Sequence, residues 1–429
     1  MKKILKRILF LSLLTTNLFA SQYISGYVKD RDTKEPLSYT NISIVGSELG
    51  TISNRDGRFV INIDEVKNYK LLFSYIGYKN KTIGIKINSD SLYNRVFVYL
   101  APEPIKMKEV TVTPGHNPAN DIIKKVYEKL HKKRKDYYYA KAFYRQYSSY
   151  DDSKYVDARE MFYKLSLNLN KIDDWRVSQG RHAKIIFQKG GGIPYMKNLS
   201  LITRAFKFIS SGKIRPHKIM HYPIERKPGK HYRYRIKGYK TQNKKNVVII
   251  SLSPSKREKG KGTACTGEME ILLDSYEILR FTATIYNPDK LKTKPDYKNI
   301  YVVKETIRWN IVNKIINNKI LNYIVEVEDI VVLGQKKDNN KKLEVSNYSV
   351  MLFYDYTRKD LFADKKTMTG KENDVKIVEE LDYDPDFWKK NAKIISEIPI
   401  EKDIINYFKK YDFYGNMFPG GLKLEERKK

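Results

Sequence analysis

Between residues 137 and 356 apolar and polar side chains alternate with a period of two, a pattern that restricts this part of the chain to half-buried β-strands. Leu279, Phe281, Ala283 and Ile285 alternate with Arg280, Thr282, Thr284 and Tyr286, so one face of such a strand is apolar and the other polar. Met269, Ile271 and Leu273 alternate with Glu268 and Glu270 just before, and Asp274-Ser275-Tyr276-Glu277 joins the two runs as a hairpin. A second pair, 301–315 and 320–332, turns at Asn317-Asn318. Further strands near 140–147, 154–167, 232–239, 247–252 and 345–354 bring the expected number to about nine to eleven, antiparallel throughout, over residues 137–360. A closed outer-membrane barrel shows the same alternation. It is rejected here because outward positions carry Lys and Arg and the chain ends in Glu425-Glu426-Arg427-Lys428-Lys429.

The N-terminal part has a shorter rhythm. Over residues 24–100, brief β-branched and aromatic runs are cut by turn signals at 30–32, 46–50 and 54–57, the spacing of a small sandwich. Gly57 after Asn54-Arg55-Asp56 closes a tight turn, read as a hairpin, because glycine accepts positive φ at low cost. Gly26, Val28, Pro36-Leu37, Asn41 to Val45, Gly50-Thr51, Asp56-Gly57-Arg58-Phe59 and Tyr75-Ile76-Gly77-Tyr78 carry a resemblance to the carboxypeptidase regulatory-like family. That resemblance implies a transthyretin-like sandwich of seven strands over residues 21–100, of a kind common in exported proteins of Bacteroidota. It implies no peptidase activity.

The first 20 residues read as a secretory signal peptide: basic MKKILKR, an apolar run from Ile8 to Phe19, and small residues Ala20-Ser21. The apolar run is about a dozen residues, shorter than the roughly 20 that a spanning helix needs. Cys265 is the only cysteine, so no internal disulfide supports the fold; it is read as a small buried residue. Residues 101–136 form a linker, a short strand at 109–112 and an amphipathic helix. Asn117 caps that helix, Pro118 begins it, and Ile122, Ile123, Val126, Tyr127 and Leu130 share one side. Residues 361–429 form a helical C-terminal segment, with one helix starting at Asp384-Pro385-Asp386 and another after Pro399. The fold class expected is thus mainly β: sandwich, helical connector, larger antiparallel domain and C-terminal helices. The hairpin at 267–286 is similar to one in the periplasmic lipoprotein-localisation factors. That likeness implies an open half-barrel that wraps a helix and holds acyl chains.

Charge supplies the functional clue. The chain carries a formal net charge of +33, and residues 175–257 contain 21 Lys or Arg against one acid, Glu225. His182, His217, His221 and His231 lie in the same stretch. Tyrosines interleave with Arg226, Lys227, Lys230, Arg233, Arg235, Lys237 and Lys240, which we take as an anion-binding surface. In a cytosolic chain this pattern would indicate nucleic acid. Export directs it instead to anionic lipid, glycan or an outer-membrane or periplasmic protein, with peripheral membrane contact. No cofactor motif is present, and no metal or catalytic set is assigned: His221 and Glu225 are four apart without further ligands at zinc spacing. Asp151-Asp152 and Asp173-Asp174 are read as polar loops. The expectation is a non-enzymatic cell-envelope protein, in the periplasm, at the outer membrane or on the surface. A periplasmic lipid or lipoprotein carrier and a hydrolase of envelope polymers are the alternatives.

Overall fold

The computed structural model describes residues 22–47, 50–54, 56–63, 65–75, 78–88, 93–103, 116–132, 137–150, 154–168, 171–184, 198–209, 221–242, 245–259, 264–286, 300–316, 319–336, 338–362 and 374–397. The expected signal peptide, the short strand at 109–112, the turn at 317–318 and the helix after Pro399 lie outside these residues, as do Arg55, Ile76, Gly77, Asp151, Asp152 and His217. The chain divides into two compact units. One runs to Pro104 and takes in Asn391–Pro399; the other holds Ile105–Lys390.

The first unit is the seven-stranded sandwich. Strands β1 (Gln22–Asp30), β4 (Arg58–Ile63) and β7 (Tyr93–Leu100) form one sheet, in which β1 is antiparallel to β4 and parallel to β7. Strands β2 (Asn41–Ile44), β3 (Gly50–Ile52), β5 (Tyr69–Ser74) and β6 (Lys81–Ile85) form the other, in the order β3-β2-β5-β6. Ile24, Val28, Ile42, Phe59, Leu71, Phe73 and Leu100 fill the space between, each drawn from alternate positions of its strand. The turn at Gly57 is present, with φ +72° and Asn54 Oδ1 accepting from the amides of Asp56 (3.0 Å) and Arg58 (2.8 Å). It is not a hairpin, because β3 and β4 belong to different sheets. The chain passes from one layer to the other here, and the Gly57 carbonyl at once accepts from the Val28 amide at 2.7 Å.

The second unit is one antiparallel sheet of ten strands: β8 (Tyr137–Tyr150), β9 (Lys154–Asn168), β10 (Lys171–Lys184), β11 (Tyr232–Gln242), β12 (Lys245–Pro254), β13 (Thr266–Leu272), β14 (Ile278–Tyr286), β15 (Ile300–Ile316), β16 (Lys319–Gln335) and β17 (Asp338–Thr357). The order is β10-β9-β8-β17-β16-β15-β14-β13-β12-β11, open at both ends. The chain starts mid-sheet, builds outward to β10, crosses to the far edge at β11, and returns strand by strand until β17 pairs with β8. The expected hairpin is β13–β14, and Tyr276 takes φ 53° in its turn. Asp173-Asp174 is not a loop; it lies in β10, where register shifts after Ile172 and Val177 break the alternation that would have revealed a strand.

Helices α1 (Pro118–Lys132), α2 (Leu199–Ala205) and α3 (Asp374–Glu380) cover one face of this sheet, and α4 (Pro385–Lys390) lies against Phe162 on the other; α5 (Ala392–Glu397) follows in the first unit. Helix α1 buries Ala119, Ile123 and Val126, and Asn117 caps it by accepting from the Ala119 amide at 3.0 Å. Beside Ile123 and Val126 the shared core holds Tyr144, Tyr163, Ile250, Phe281, Val327 and Met351. Helix α3 is fixed by Asp374, whose fully buried carboxylate accepts from Tyr163 Oη (2.7 Å), Asn198 Nδ2 (2.7 Å), Ser200 Oγ and Arg204 Nη2 (2.8 Å). Arg204 in turn lies 3.6 Å over the Trp175 ring.

Two outcomes follow from these contacts. Asp374→Ala leaves the buried Arg204 guanidinium without its counter-charge and is expected to cost about 3–5 kcal/mol, of which the pair replacement Arg204→Met/Asp374→Leu recovers only the part due to the unpaired charge, because Tyr163, Asn198 and Ser200 still lose their acceptor. Trp175, Trp309 and Trp388 are the only tryptophans and all lie in the second unit, so urea unfolding followed by tryptophan fluorescence reads this directly. Gly57→Ala places a Cβ 2.4 Å from the Val28 carbonyl oxygen in a left-handed conformation, a loss of about 2 kcal/mol or more. It should lower the sandwich transition, read by circular dichroism, and leave the tryptophan transition in place.

Candidate functional site

Within the basic stretch, the residues from Arg226 to Lys237 lie at one edge of the large sheet, on β11 and the loop before it, where the single acid Glu225 organises them; Arg176 and Arg181 lie on β10 at the opposite edge. Glu225 is buried; its Oε1 accepts from the His231 amide (2.8 Å) and its Oε2 from the amides of Gly229 (3.2 Å) and Tyr232 (3.3 Å) and from Tyr234 Oη (3.2 Å). The loop of residues 221–231 therefore wraps around one carboxylate. Gly229, at φ +102°, supplies the left-handed turn that aims its amide inward. Tyr232 and Tyr234, the inward members of edge strand β11, tie down the rest of the loop: the Tyr232 hydroxyl donates to the His221 carbonyl (2.6 Å), and the Tyr234 hydroxyl proton is shared between Glu225 and the Pro223 carbonyl (3.0 Å). Asn117 of α1 donates to the Tyr234 carbonyl at 3.0 Å, which occupies one hydrogen-bonding position of the open edge.

With the tyrosines and Glu225 turned in, the cations point out. Arg226, Lys227 and Lys230 are exposed on the loop, and Arg233, Arg235 and Lys237 are exposed on β11. Lys237 is engaged by Glu268 on β13 at 2.5 Å. Among the described residues, the other five form no ion pair. Lys240 lies in β11, but its side chain is outside the described set.

A second constellation sits at the root of this loop. Glu258 Oε1 lies 3.0 Å from His231 Nδ1, and Oε2 lies 3.3 Å from His221 Nε2. The two imidazoles stack, with centroids 3.6 Å apart and planes 17° apart. Glu258 is buried, His231 mostly so, and His221 partly exposed. Burial and the charge of His231 hold His221 below the usual imidazole range, so at neutral pH it offers a lone pair. Glu225, four positions after His221, is taken by backbone amides. The partners of His221 stand ten and 37 positions downstream. Pro228-Gly229 between the two histidines signals a returning loop and so brings its ends together; nothing local in the sequence marks Glu258, which arrives through the turn that follows β12.

Elsewhere the chemistry is quiet. Burial pushes the Cys265 thiol up to about 12, so it stays protonated at neutral pH, and its sulfur contacts Tyr232 Oη at 3.7 Å. On the covered face of the sheet, Phe206 and Phe208 pack against Phe281, each with centroids 5.4 Å apart, the first tilted and the second edge-on, and Phe206 also meets Trp309.

A comparison with curated protein sequences finds no match. Among solved structures, the chain is similar to a DUF1329 family protein from Desulfovibrio piger at 10% identity, covering 57% of this chain and 95% of that one, with a TM-score of 0.25. It is similar to a LolA superfamily protein from Nitrosomonas europaea at 13% identity, covering 57% and 94%, with a TM-score of 0.22. MucB is similar at 10% identity, covering 55% and 94%, with a TM-score of 0.20. Superpositions this loose carry no function across. The N-terminal unit is different, for there a family is matched directly in sequence. Residues 24–112 match the CarboxypepD_reg-like domain family, and the seven-stranded sandwich is a domain of that family.

Proposed function

We propose that this protein is a non-enzymatic binding component of the cell envelope. It docks on an anionic surface through Arg226, Lys227, Lys230, Arg233 and Arg235, with the CarboxypepD_reg-like domain as an accessory module. The observation that carries this reading is the fate of the acids beside the basic residues. Glu225 is held inward by three amides and a tyrosine hydroxyl, and Glu258 is held inward by two histidines. Five cations therefore face solvent without an ion pair among the described residues. Protection of an open sheet edge is a general reason for such charge, yet it does not call for Arg226, Lys227 and Lys230, which lie on the loop and not on the strand. Export to the periplasmic side of the envelope belongs to the same proposal, as it makes phosphate-bearing lipid and glycan the available polyanions.

A carrier of acyl chains is the less favoured reading, because Phe206 and Phe208 occupy the middle of the covered face where a chain would lie.

Vesicle co-sedimentation tests the proposal. A cation close to an anionic membrane contributes about 1 kcal/mol, so the triple change Arg226→Ala/Lys227→Ala/Lys230→Ala should weaken partitioning onto phosphatidylglycerol vesicles by about 100-fold. Binding should fall steeply with salt and be absent on phosphatidylcholine alone. Lys237→Ala, already paired with Glu268, should change it by less than about twofold. Equal binding to both vesicle types, or retention by the triple variant, overturns the reading.

A further inference from the structure

We infer that His221, His231 and Glu258 form a binding site for a late first-row divalent cation, with zinc as the reference ion. The site is distinct from the cationic surface and does not depend on it. Two imidazole nitrogens and a carboxylate are the donor set of many zinc centres that keep a position for water, and no thiolate is needed. The donor atoms all lie within 4.8 Å of one another. The two nitrogen–oxygen separations, 3.0 Å to Oε1 of Glu258 and 3.3 Å to Oε2, are each close to the roughly 3.3 Å that separates ligands on a tetrahedral ion with bonds of about 2.0–2.1 Å.

What distinguishes this cluster from a chance meeting of side chains is its support. His231 is positioned by the Glu225 carboxylate through its own amide, and its carbonyl accepts from the Ser255 amide at 2.9 Å. Ser255 Oγ donates to the Lys230 carbonyl at 3.1 Å, and the Ser255 carbonyl accepts from the Glu258 amide at 2.9 Å. His221 is held through its carbonyl by Tyr232 Oη. The backbone that carries each of the three donors is thus fixed by hydrogen bonds, which keeps the side chains near one another. His221, the most exposed of the three, opens a path from solvent.

Each ring presents a nitrogen to one oxygen of Glu258, and the two in-plane directions run side by side. One ion shared by both rings requires them to swing apart and to carry their protons on the far nitrogens, Nε2 of His231 and Nδ1 of His221. The bound state therefore loses the stack, and loop 221–231 becomes clamped to the turn of residues 255–259.

The test uses the full chain without an affinity tag and the metal alone. Calorimetric titration with Zn²⁺, and visible absorption with Co²⁺ as its spectroscopic substitute, should give one ion per chain. His231→Ala and Glu258→Gln should each weaken binding by at least about 100-fold, while His116→Ala, on the exposed pair with Asp121, leaves it unchanged. Histidine ring resonances should report loss of the stack on addition of Zn²⁺. His221→Asn provides the folding control: its melting midpoint without metal should equal that of the parent, and the rise that Zn²⁺ produces in the parent should vanish. Failure to bind Zn²⁺ or Co²⁺ overturns the inference. So does binding that survives His231→Ala, or a Zn²⁺-induced rise in melting midpoint that persists in His221→Asn.

Discussion

The pairing of β8 with β17 is the contact on which the large unit depends. It joins the first strand of the sheet to the last, with Ser148 hydrogen-bonded to Asn347 across 199 positions of sequence at 2.8 Å. Without it the sheet would be two separate blocks: a three-stranded one ending at β8 and a seven-stranded one ending at β17. Neither block could hold α2 alone, because α2 touches β8 and β10 from the first and β16 and β17 from the second. A contact of such sequence separation pays the loop entropy late in folding. The unit therefore gains its shared core only once its two ends have met.

The same seam explains why the covered face is not uniformly apolar. Gln146, Ser148, Asn347 and Ser349 lie on it, all fully buried, in two adjacent cross-strand rows of β8 and β17. Polar groups at this depth are tolerable only when hydrogen-bonded, and the partners are specific: Tyr144 Oη and the Leu199 amide donate to Gln146 Oε1, and Thr203 meets Ser349. Asp374 continues the network to α3. An apolar seam would tolerate a two-residue slip of β17 against β8. A polar one fixes the register, since each displaced group would lose its partner.

The sequence announced what its periodicity and turn chemistry encode, and concealed what depends on irregularity or distance. The alternation at residues 279–286 marked β14, the Asn117-Pro118 start marked α1, and Asp384 marked α4, where its carboxylate accepts from the Phe387 amide at 3.0 Å. Strand β10 escaped notice because two bulges put its residues out of phase, so Asp173 and Asp174 read as loop. The turn at Gly57 was legible as a turn, but local residues do not tell which sheet the next strand joins; Phe59, Ile61 and Ile63 would suit either. Helix α3 has seven residues, too few for a helical period, and its one decisive residue, Asp374, acts through partners 170 or more positions away. In the candidate site the outward cations could be read from alternation with Tyr232 and Tyr234. The direction of Glu225 and the arrival of Glu258 could not, since both are set by tertiary hydrogen bonds.

That inward direction resolves a physical conflict in the basic loop. Like charges on Arg226, Lys227, Lys230, Arg233 and Arg235 repel, and an exposed acid among them would relieve the strain at the expense of the outward potential. Carboxylates placed beneath the surface act differently. Glu225 and Glu258 are buried while the cations are exposed, so they offset repulsion from inside the fold while the guanidinium and ammonium groups remain at the water boundary. Burial of a carboxylate is costly unless it is hydrogen-bonded, and here the backbone amides of the loop itself meet that requirement. Stability of the loop and positive potential at its surface are thus supplied by different atoms of the same few residues, and neither has to be given up for the other.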